Sequence, residues 1–189
     1  MITDGSKVDF AASNRFFLDA NVWMAVFAPP SDPQGCWQAL YSKMLKRIKR
    51  ASADIYIDST VISEYLNSYA RTEFNVRYAD ALKIKFKEFR DGHRSKYKPI
   101  AEQAAKNMKD ILSLPQIHVI DCKVSRFDLD VMLTDFEVAA TDWNDQVIIE
   151  VCKEGKYDLI TNDKDFKDVE GLKILTLNSS LLGKVCLCD

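Results

Sequence analysis

Phe16-Phe17-Leu18-Asp19 and Asp158-Leu159-Ile160-Thr161-Asn162-Asp163 share one form: a short apolar run that leads to an acid. Two further stretches place acids where helices begin. Asp54-Ile55-Tyr56-Ile57-Asp58-Ser59 opens a helix that carries Glu64, and Thr141-Asp142-Trp143-Asn144-Asp145 opens another. Between these stretches, apolar residues recur at helical spacing, so strands and helices alternate along the chain. Such alternation implies right-handed crossovers and a mostly parallel sheet with helices on both faces. The carboxyl ends of parallel strands share one edge, and ligand sites form there. Asp19, Glu64, Asp145 and Asp163 are therefore expected to meet, although they are far apart in sequence.

The pattern predicts five strands: Arg15–Asp19, Asp54–Asp58, Ile117–Asp121, Tyr157–Thr161 and Leu172–Leu177. Residues 1–14 read as an irregular lead-in. Helices are expected over Asn21–Ala28, over Cys36–Arg50 with Trp37, Leu40, Met44 and Ile48 on its seam, and after a Ser59 or Thr60 cap. Two long helical patterns follow, Val76–Arg90 and Pro99–Leu112, joined by the Asp91-Gly92-His93-Arg94-Ser95 turn, and together they suggest a helical hairpin. Phe127–Ala140 is expected to be helical with Leu129, Met132, Leu133 and Phe136 facing the core. Asp142–Glu154 follows with Thr141 as its cap, stopping at Gly155. A short last helix is possible near Ser179–Gly183. The expected organisation is a single domain over 1–189, with an α/β core at 15–70 and 117–177 and an inserted hairpin at 71–114.

At 189 residues with 47% hydrophobic and 29% charged content, the composition is that of an ordinary soluble globular protein. No window approaches the ~20 apolar residues of a membrane span. The polar N-terminus lacks the apolar core of a signal peptide, so a cytoplasmic location is expected. Five cysteines, an odd number, show no disulfide-framework spacing. Cys186 and Cys188, with only His93 and His118 elsewhere, do not make a zinc site. The net charge of −2 hides an asymmetry, because Arg71–Lys98 holds nine Lys/Arg against four Asp/Glu, a local +5 that leaves −7 for the rest. That basic stretch could hold a polyanion beside the acids through Arg71, Arg77, Lys83, Lys87, Arg90, Arg94 and Lys96.

Each acid has an ordinary explanation when taken alone. Asp19 could cap a helix, Glu64 could complement a helix N-terminus, and Asp163 could be a turn residue in Asn-Asp-Lys-Asp. Asp142 and Asp145 could form an acidic first turn. Asp145 is preferred as the ligand because it lies deeper in the helix, where capping does not account for it. Carboxylates that converge repel one another unless a cation joins them, and Mg²⁺ or Mn²⁺ suits all-oxygen donors. The chemistry that follows is metal-assisted phosphoryl transfer.

Phe17-Leu18-Asp19-Ala20-Asn21, Ser59-Thr60-Val61-Ile62-Ser63-Glu64, Asn144-Asp145-Gln146-Val147-Ile148 and the stretch from Asp158 to Phe166 occur in an order that resembles the PIN-domain nucleases, and in particular the VapC-type toxins. The resemblance spans residues 15–166. It implies a three-layer α/β/α sandwich and a Mg²⁺- or Mn²⁺-dependent ribonuclease; in-line attack with the 3′ oxygen as leaving group would then give a 5′ phosphate. Asp19, Glu64, Asp145 and Asp163 match the family's acidic quartet, and Asp142 could be a further acid. Asn21 and Thr161 match supporting polar positions. It also implies an RNA substrate, a cognate antitoxin and a homodimer, for which Trp23, Phe27 and Trp37 could supply apolar contacts if they are not core. The basic segment 71–114 and the lead-in are longer than in a compact VapC-type chain. A non-catalytic PIN-fold module that binds RNA or protein is the alternative. A haloacid-dehalogenase-type phosphatase is disfavoured because Asp19-Ala20-Asn21 lacks the second acid of Asp-x-Asp. A receiver-type domain does not account for Glu64 and Asp145 together.

Overall fold

A computed structural model describes residues 1–137 and 142–183. The expected helical character of 138–140, the Thr141 cap and the pair Cys186 and Cys188 lie outside these residues. Six strands form one sheet in the order β1-β6-β5-β2-β3-β4. They are β1 (Ile2–Asp4), β2 (Arg15–Leu18), β3 (Asp54–Ile57), β4 (Ile117–Val119), β5 (Asp158–Ile160) and β6 (Ile174–Thr176). Every pairing is parallel. Five strands fall where the apolar runs predict them, each somewhat shorter. The sixth, β1, corrects the irregular lead-in: Ile2 pairs with Ile174 and Asp4 with Thr176. A three-residue strand at a sheet edge is too short to show an alternating pattern.

The helices are α1 (Ala20–Val26), α2 (Gly35–Arg50), α3 (Ser59–Phe74), α4 (Asp80–Leu82), α5 (Phe86–Gly92), α6 (Arg94–Leu112), α7 (Leu129–Glu137) and α8 (Trp143–Gly155). The chain starts in β1 at one edge, runs from β2 to β3 to β4 towards the other, then crosses back to β5 and β6, which fill the space between β2 and β1. With right-handed crossovers, α1 to α6 cover one face and α7 and α8 the other, giving three layers. The strand order reverses between β2 and β5, which is the switch point where an open α/β sheet offers a crevice. Phe16, Phe17, Leu18, Ile55, Ile57, Leu159, Ile160, Ile174 and Leu175 are all buried. Strands covered on both faces read as continuous apolar runs, and these do.

Several local expectations change. On α2, Tyr41 is buried and Leu40 is exposed, so the core seam runs through Tyr41, Met44 and Ile48. The first hairpin helix does not run unbroken. α3 passes through a π-helical turn at Asn75–Ala79 into α4, then breaks at Lys83 with φ of 52°. The break lets Phe86 and Phe89 pack on Phe74, with ring centroids 5.7 and 4.9 Å away. α6 begins at Arg94, ahead of Pro99, which lies inside the helix. Its buried seam is Ile100, Ala104, Met108 and Ile111, as the spacing predicts. On α7 only Met132 is buried, while Leu129, Leu133 and Phe136 are exposed instead of facing the core. Residues 179–183 form turns and no helix.

α8 ends at Gly155 as expected, but the left-handed residue is Lys156. The glycine is needed for space, since a Cβ there would lie 2.0 Å from the Tyr157 ring. Cys36 is disulfide-bonded, which the cysteine spacing did not announce. Trp23 is fully buried, and Phe27 and Trp37 pack partly buried against the core. Among the described residues no helix is long and apolar enough to cross a membrane.

Candidate active site at the switch point

The register Phe16↔Asp158 and Leu18↔Ile160 sets Asp19 beside Thr161, and the Asp19 amide donates to the Ile160 carbonyl at 3.0 Å. Asp19 is the N-cap residue of α1, yet its side chain makes no capping hydrogen bond. Its Oδ2 accepts instead from the Thr161 hydroxyl at 2.7 Å and from Asn21 Nδ2 at 2.6 Å. Thr161 Oγ1 in turn accepts from Asn21 Nδ2 at 3.1 Å and from the Asp163 amide at 2.9 Å. Asn21 Oδ1 accepts from the Asn162 amide at 3.0 Å. Asn21 and Thr161, expected as supporting residues, thus tie the ends of β2 and β5 together around Asp19.

Sequence reasoning missed a second layer of this network. The buried Tyr41 hydroxyl on α2 lies 3.2 Å from both the Thr161 carbonyl and Asn162 Oδ1, and accepts from the Leu177 amide at 3.3 Å. Burial pushes its phenol up to about 12, so it stays a donor. Asn178 Nδ2 donates to the Asn162 carbonyl at 2.8 Å. The spacing put Leu40 instead of Tyr41 on the helical seam, and nothing local marks the Tyr41 hydroxyl as structural glue.

The acids gather around this frame. Asp19 is 3% exposed, and burial raises its pKa to about 6, opposed by the Thr161 hydrogen bond and reinforced by the charge of Asp163. Glu64 on α3 is pushed up to about 7 by burial, then by Asp19, Asp142 and Asp163. Asp145 on α8 is also pushed up to about 7, by burial and then by Asp19, Asp142, Asp163 and Glu64. These acids come from four separate segments of the chain and act on one another electrostatically, which is the convergence expected from topology. Asp163 caps a short 3-10 turn, Lys164–Asp168, by accepting from the Asp165 amide at 2.9 Å. Asp142 is the N-cap of α8, accepting from the Asn144 amide at 2.7 Å.

Among the described residues, no three His, Cys, Asp or Glu side chains form a ready-made metal-binding group. The carboxylates repel one another without being drawn into a closed cage. Their chemistry nonetheless fits a hard divalent cation: the donors are all oxygen, and their proton affinities are raised by burial first and then by one another's charge, which such a cation would offset. Beside Glu64 runs a groove of about 560 Å³ lined by Ser59, Thr60, Ser63, Asn67, Ser68 and Asn144. These neutral hydroxyls and amides extend the acid cluster without adding charge. A larger cavity of about 620 Å³, between α7, α8 and the Lys164–Asp168 turn, has Asp165 in its wall but none of the four acids.

The expected basic contacts divide. Arg77 pairs with Glu73 at 2.7 Å and Arg90 with Asp91 at 2.9 Å. The Arg71 guanidinium lies over the Phe86 ring and Lys96 over the Tyr78 ring. Among the described residues, no hydrogen bond or ion pair joins Lys83, Lys87 or Arg94 to the acids.

The PIN domain family profile matches residues 16–172, which cover both strands of the switch point and all four acids. The chain belongs to the PIN-domain family. No curated protein matches its sequence. Among solved structures, it is similar to VapBC2 from Rickettsia felis, solved with a DNA fragment from the promoter. That likeness has 17% identity and a TM-score of 0.53, covering 86% of this chain and 98% of the other. A further likeness is to PAE2754 from Pyrobaculum aerophilum, with 16% identity, a TM-score of 0.48 and coverage of 92% and 90%. At this identity the VapBC2 match speaks for the PIN fold alone.

Two outcomes follow from the geometry. An ordinary carboxyl titrates near 4, and these three titrate higher in the folded chain. A proton held more tightly folded than unfolded favours the fold at low pH, and that advantage disappears as pH rises from about 4 through about 7. In chelating buffer the melting temperature is expected to fall between pH 5 and pH 8, and to fall less in Asp145→Asn. A profile equally steep in the variant contradicts this. Thr161→Val keeps the shape but strands Asn21 and the Asp163 amide, and is expected to cost about 1–3 kcal/mol in chemical denaturation.

Proposed function

We propose that the chain is a divalent-cation-dependent ribonuclease with Asp19, Glu64, Asp145 and Asp163 as its catalytic carboxylates. The observation that carries this is the mutual electrostatic coupling of acids from α3, α8 and the ends of β2 and β5 at one switch point. A scaffold has no use for carboxylates that raise one another's proton affinity, whereas a cation site does. Asp19, Glu64, Asp145 and Asp163 would hold Mg²⁺ or Mn²⁺, with Asp142 as a peripheral acid. When bound, the cation supplies Lewis acidity that makes water a nucleophile near neutral pH and offsets charge on the phosphoryl oxygens.

The chain's own residues have distinct tasks in this reading. Thr161 and Asn21 fix the Asp19 carboxylate, so it cannot turn away from the centre of the cluster. Asp163 is aimed by the Thr161 hydroxyl on its amide and by its own capping bond to Asp165. The hydroxyl and amide groove beside Glu64 would seat the sugar–phosphate chain, and Lys and Arg of the 71–98 stretch would contact backbone phosphates without reading sequence. The biological setting we propose is the toxin of a toxin–antitoxin pair, acting in the cytoplasm as a homodimer with an antitoxin partner. The competing reading, a non-catalytic PIN-fold binding module, keeps RNA binding but expects no cleavage.

Asp19→Asn and Glu64→Gln are expected to lower Mg²⁺- or Mn²⁺-dependent cleavage of a panel of structured RNAs by at least ~10²-fold, the scale of losing one preorganised electrostatic group. Far-ultraviolet circular dichroism should remain that of the parent chain. Cleavage at the parent rate by the purified variants would sink this reading.

A further inference from the structure

The helical segment beyond α3 contains a built pocket that the acid cluster does not use. Its volume is about 420 Å³, and Pro30, Tyr69, Glu73, Arg77, Tyr78 and Lys96 lie in its wall, completed by the first turns of α6. Glu73 is 3% exposed and fully engaged. Its Oε1 accepts from the Ser31 hydroxyl at 2.5 Å and the Ser31 amide at 3.3 Å, and its Oε2 accepts from Arg77 Nε at 2.7 Å. A buried carboxylate anchored to the loop after α1 therefore holds the guanidinium by its inner nitrogen. Among the described residues, no hydrogen bond or ion pair engages the two outer nitrogens of Arg77, which form the fork that matches two phosphate oxygens. The Arg77 side chain is 45% exposed.

The opposite wall supplies a second cation. Lys96 Nζ lies 5.8 Å from the Tyr78 ring centroid, and Tyr78 is itself fixed by stacking on Phe89 at 4.9 Å. Arg77 and Tyr78 both lie in the π-helical turn Asn75–Ala79. Such turns are rare and concentrate at functional positions. Among the described residues the only acid in the wall is Glu73, whose charge Arg77 already balances, so Lys96 leaves the pocket one positive charge in excess. One excess positive charge beside an open fork suits a phosphate group, and a singly charged phosphodiester in particular.

We propose that this pocket binds phosphate outside the acid cluster. Glu73 lies nine residues beyond Glu64 on α3, about 13 Å along the axis and half a turn round it, so the two sites are separate. The phosphate belongs either to an RNA chain whose scissile bond lies at the acids or to a free nucleotide. Only the first of these sources rests on the ribonuclease reading.

The test uses the full chain in chelating buffer, so that nothing is cut. Binding of a single-stranded oligoribonucleotide and of adenosine monophosphate is measured for the parent chain, for Lys96→Glu and for Lys46→Glu. Lys96 is exposed and unburdened by the core, and Lys46, exposed on α2, is the same charge change away from the pocket. Lys96→Glu is expected to weaken oligoribonucleotide binding on the order of tenfold more than Lys46→Glu. It should also flatten the log–log salt slope by about 0.7 per lost contact on a single strand. Loss for the oligoribonucleotide alone assigns the pocket to the RNA chain, and loss for both probes assigns it to phosphate from either source. Identical affinities and slopes for the two variants would overturn the proposal. If Lys96→Glu weakens binding while the parent chain, assayed separately with Mn²⁺, cuts no RNA, the pocket stands and the ribonuclease reading falls. The reverse pattern removes the pocket and leaves that reading intact.

Discussion

The hydrogen bond from Thr161 to Asp19 is the constraint on which the site depends. It exists because β2 and β5 are parallel neighbours in a register that puts Asp19 one step past Leu18 and Thr161 one step past Ile160. The Thr161 hydroxyl donates once and accepts from both Asn21 and the Asp163 amide. One side chain thus fixes an acid on its own strand end and another on its neighbour's. Tyr41 locks the same corner from the helical layer. The helices α3 and α8 then bring Glu64 and Asp145 to a frame that is already rigid.

That frame keeps like charges together. Buried carboxylates with no cation between them hold their protons more tightly, so the cluster costs stability at neutral pH. The fold tolerates this because the switch point lies where strands diverge and the apolar core is behind it. In the ribonuclease reading proposed above, a divalent cation at the cluster would offset that local cost. The basic helical segment sits on the layer that carries Glu64, but much of its charge is engaged. Arg90 pairs with Asp91, Arg71 covers Phe86, and Arg77 balances Glu73. Net charge by sequence window therefore overstates the cations available to a polyanion.

Much of the architecture was legible because its signals are local. Phe16-Phe17-Leu18 and Asp158-Leu159-Ile160 are apolar without interruption, which marks strands buried on both faces. The parallel order followed from alternation, and with it the meeting of Asp19, Glu64, Asp145 and Asp163. What escaped depends on tertiary contact. β1 is three residues long and is specified by its pairing with β6. The break at Lys83 arises because Phe86 and Phe89 gain more by packing on Phe74 than a straight helix offers. The apolar face of α7 looked like core, yet only Met132 is covered. Asp142 caps α8, since its carboxylate reaches the Asn144 amide, a bond that the acidic first turn did not single out. Tyr41 and Asn178 were invisible because their roles lie in bonds to residues more than a hundred positions away or across a turn.

The converged carboxylates are proposed to form a cation site. Calorimetric titration of Mn²⁺ into the full chain at pH 7.5 tests it most directly, alongside the same titration of Asp163→Asn. Saturable, stoichiometric binding is expected in the parent chain and is lost or much weakened in the variant, with both proteins equally folded. No saturable binding, or binding undiminished in Asp163→Asn, would contradict it.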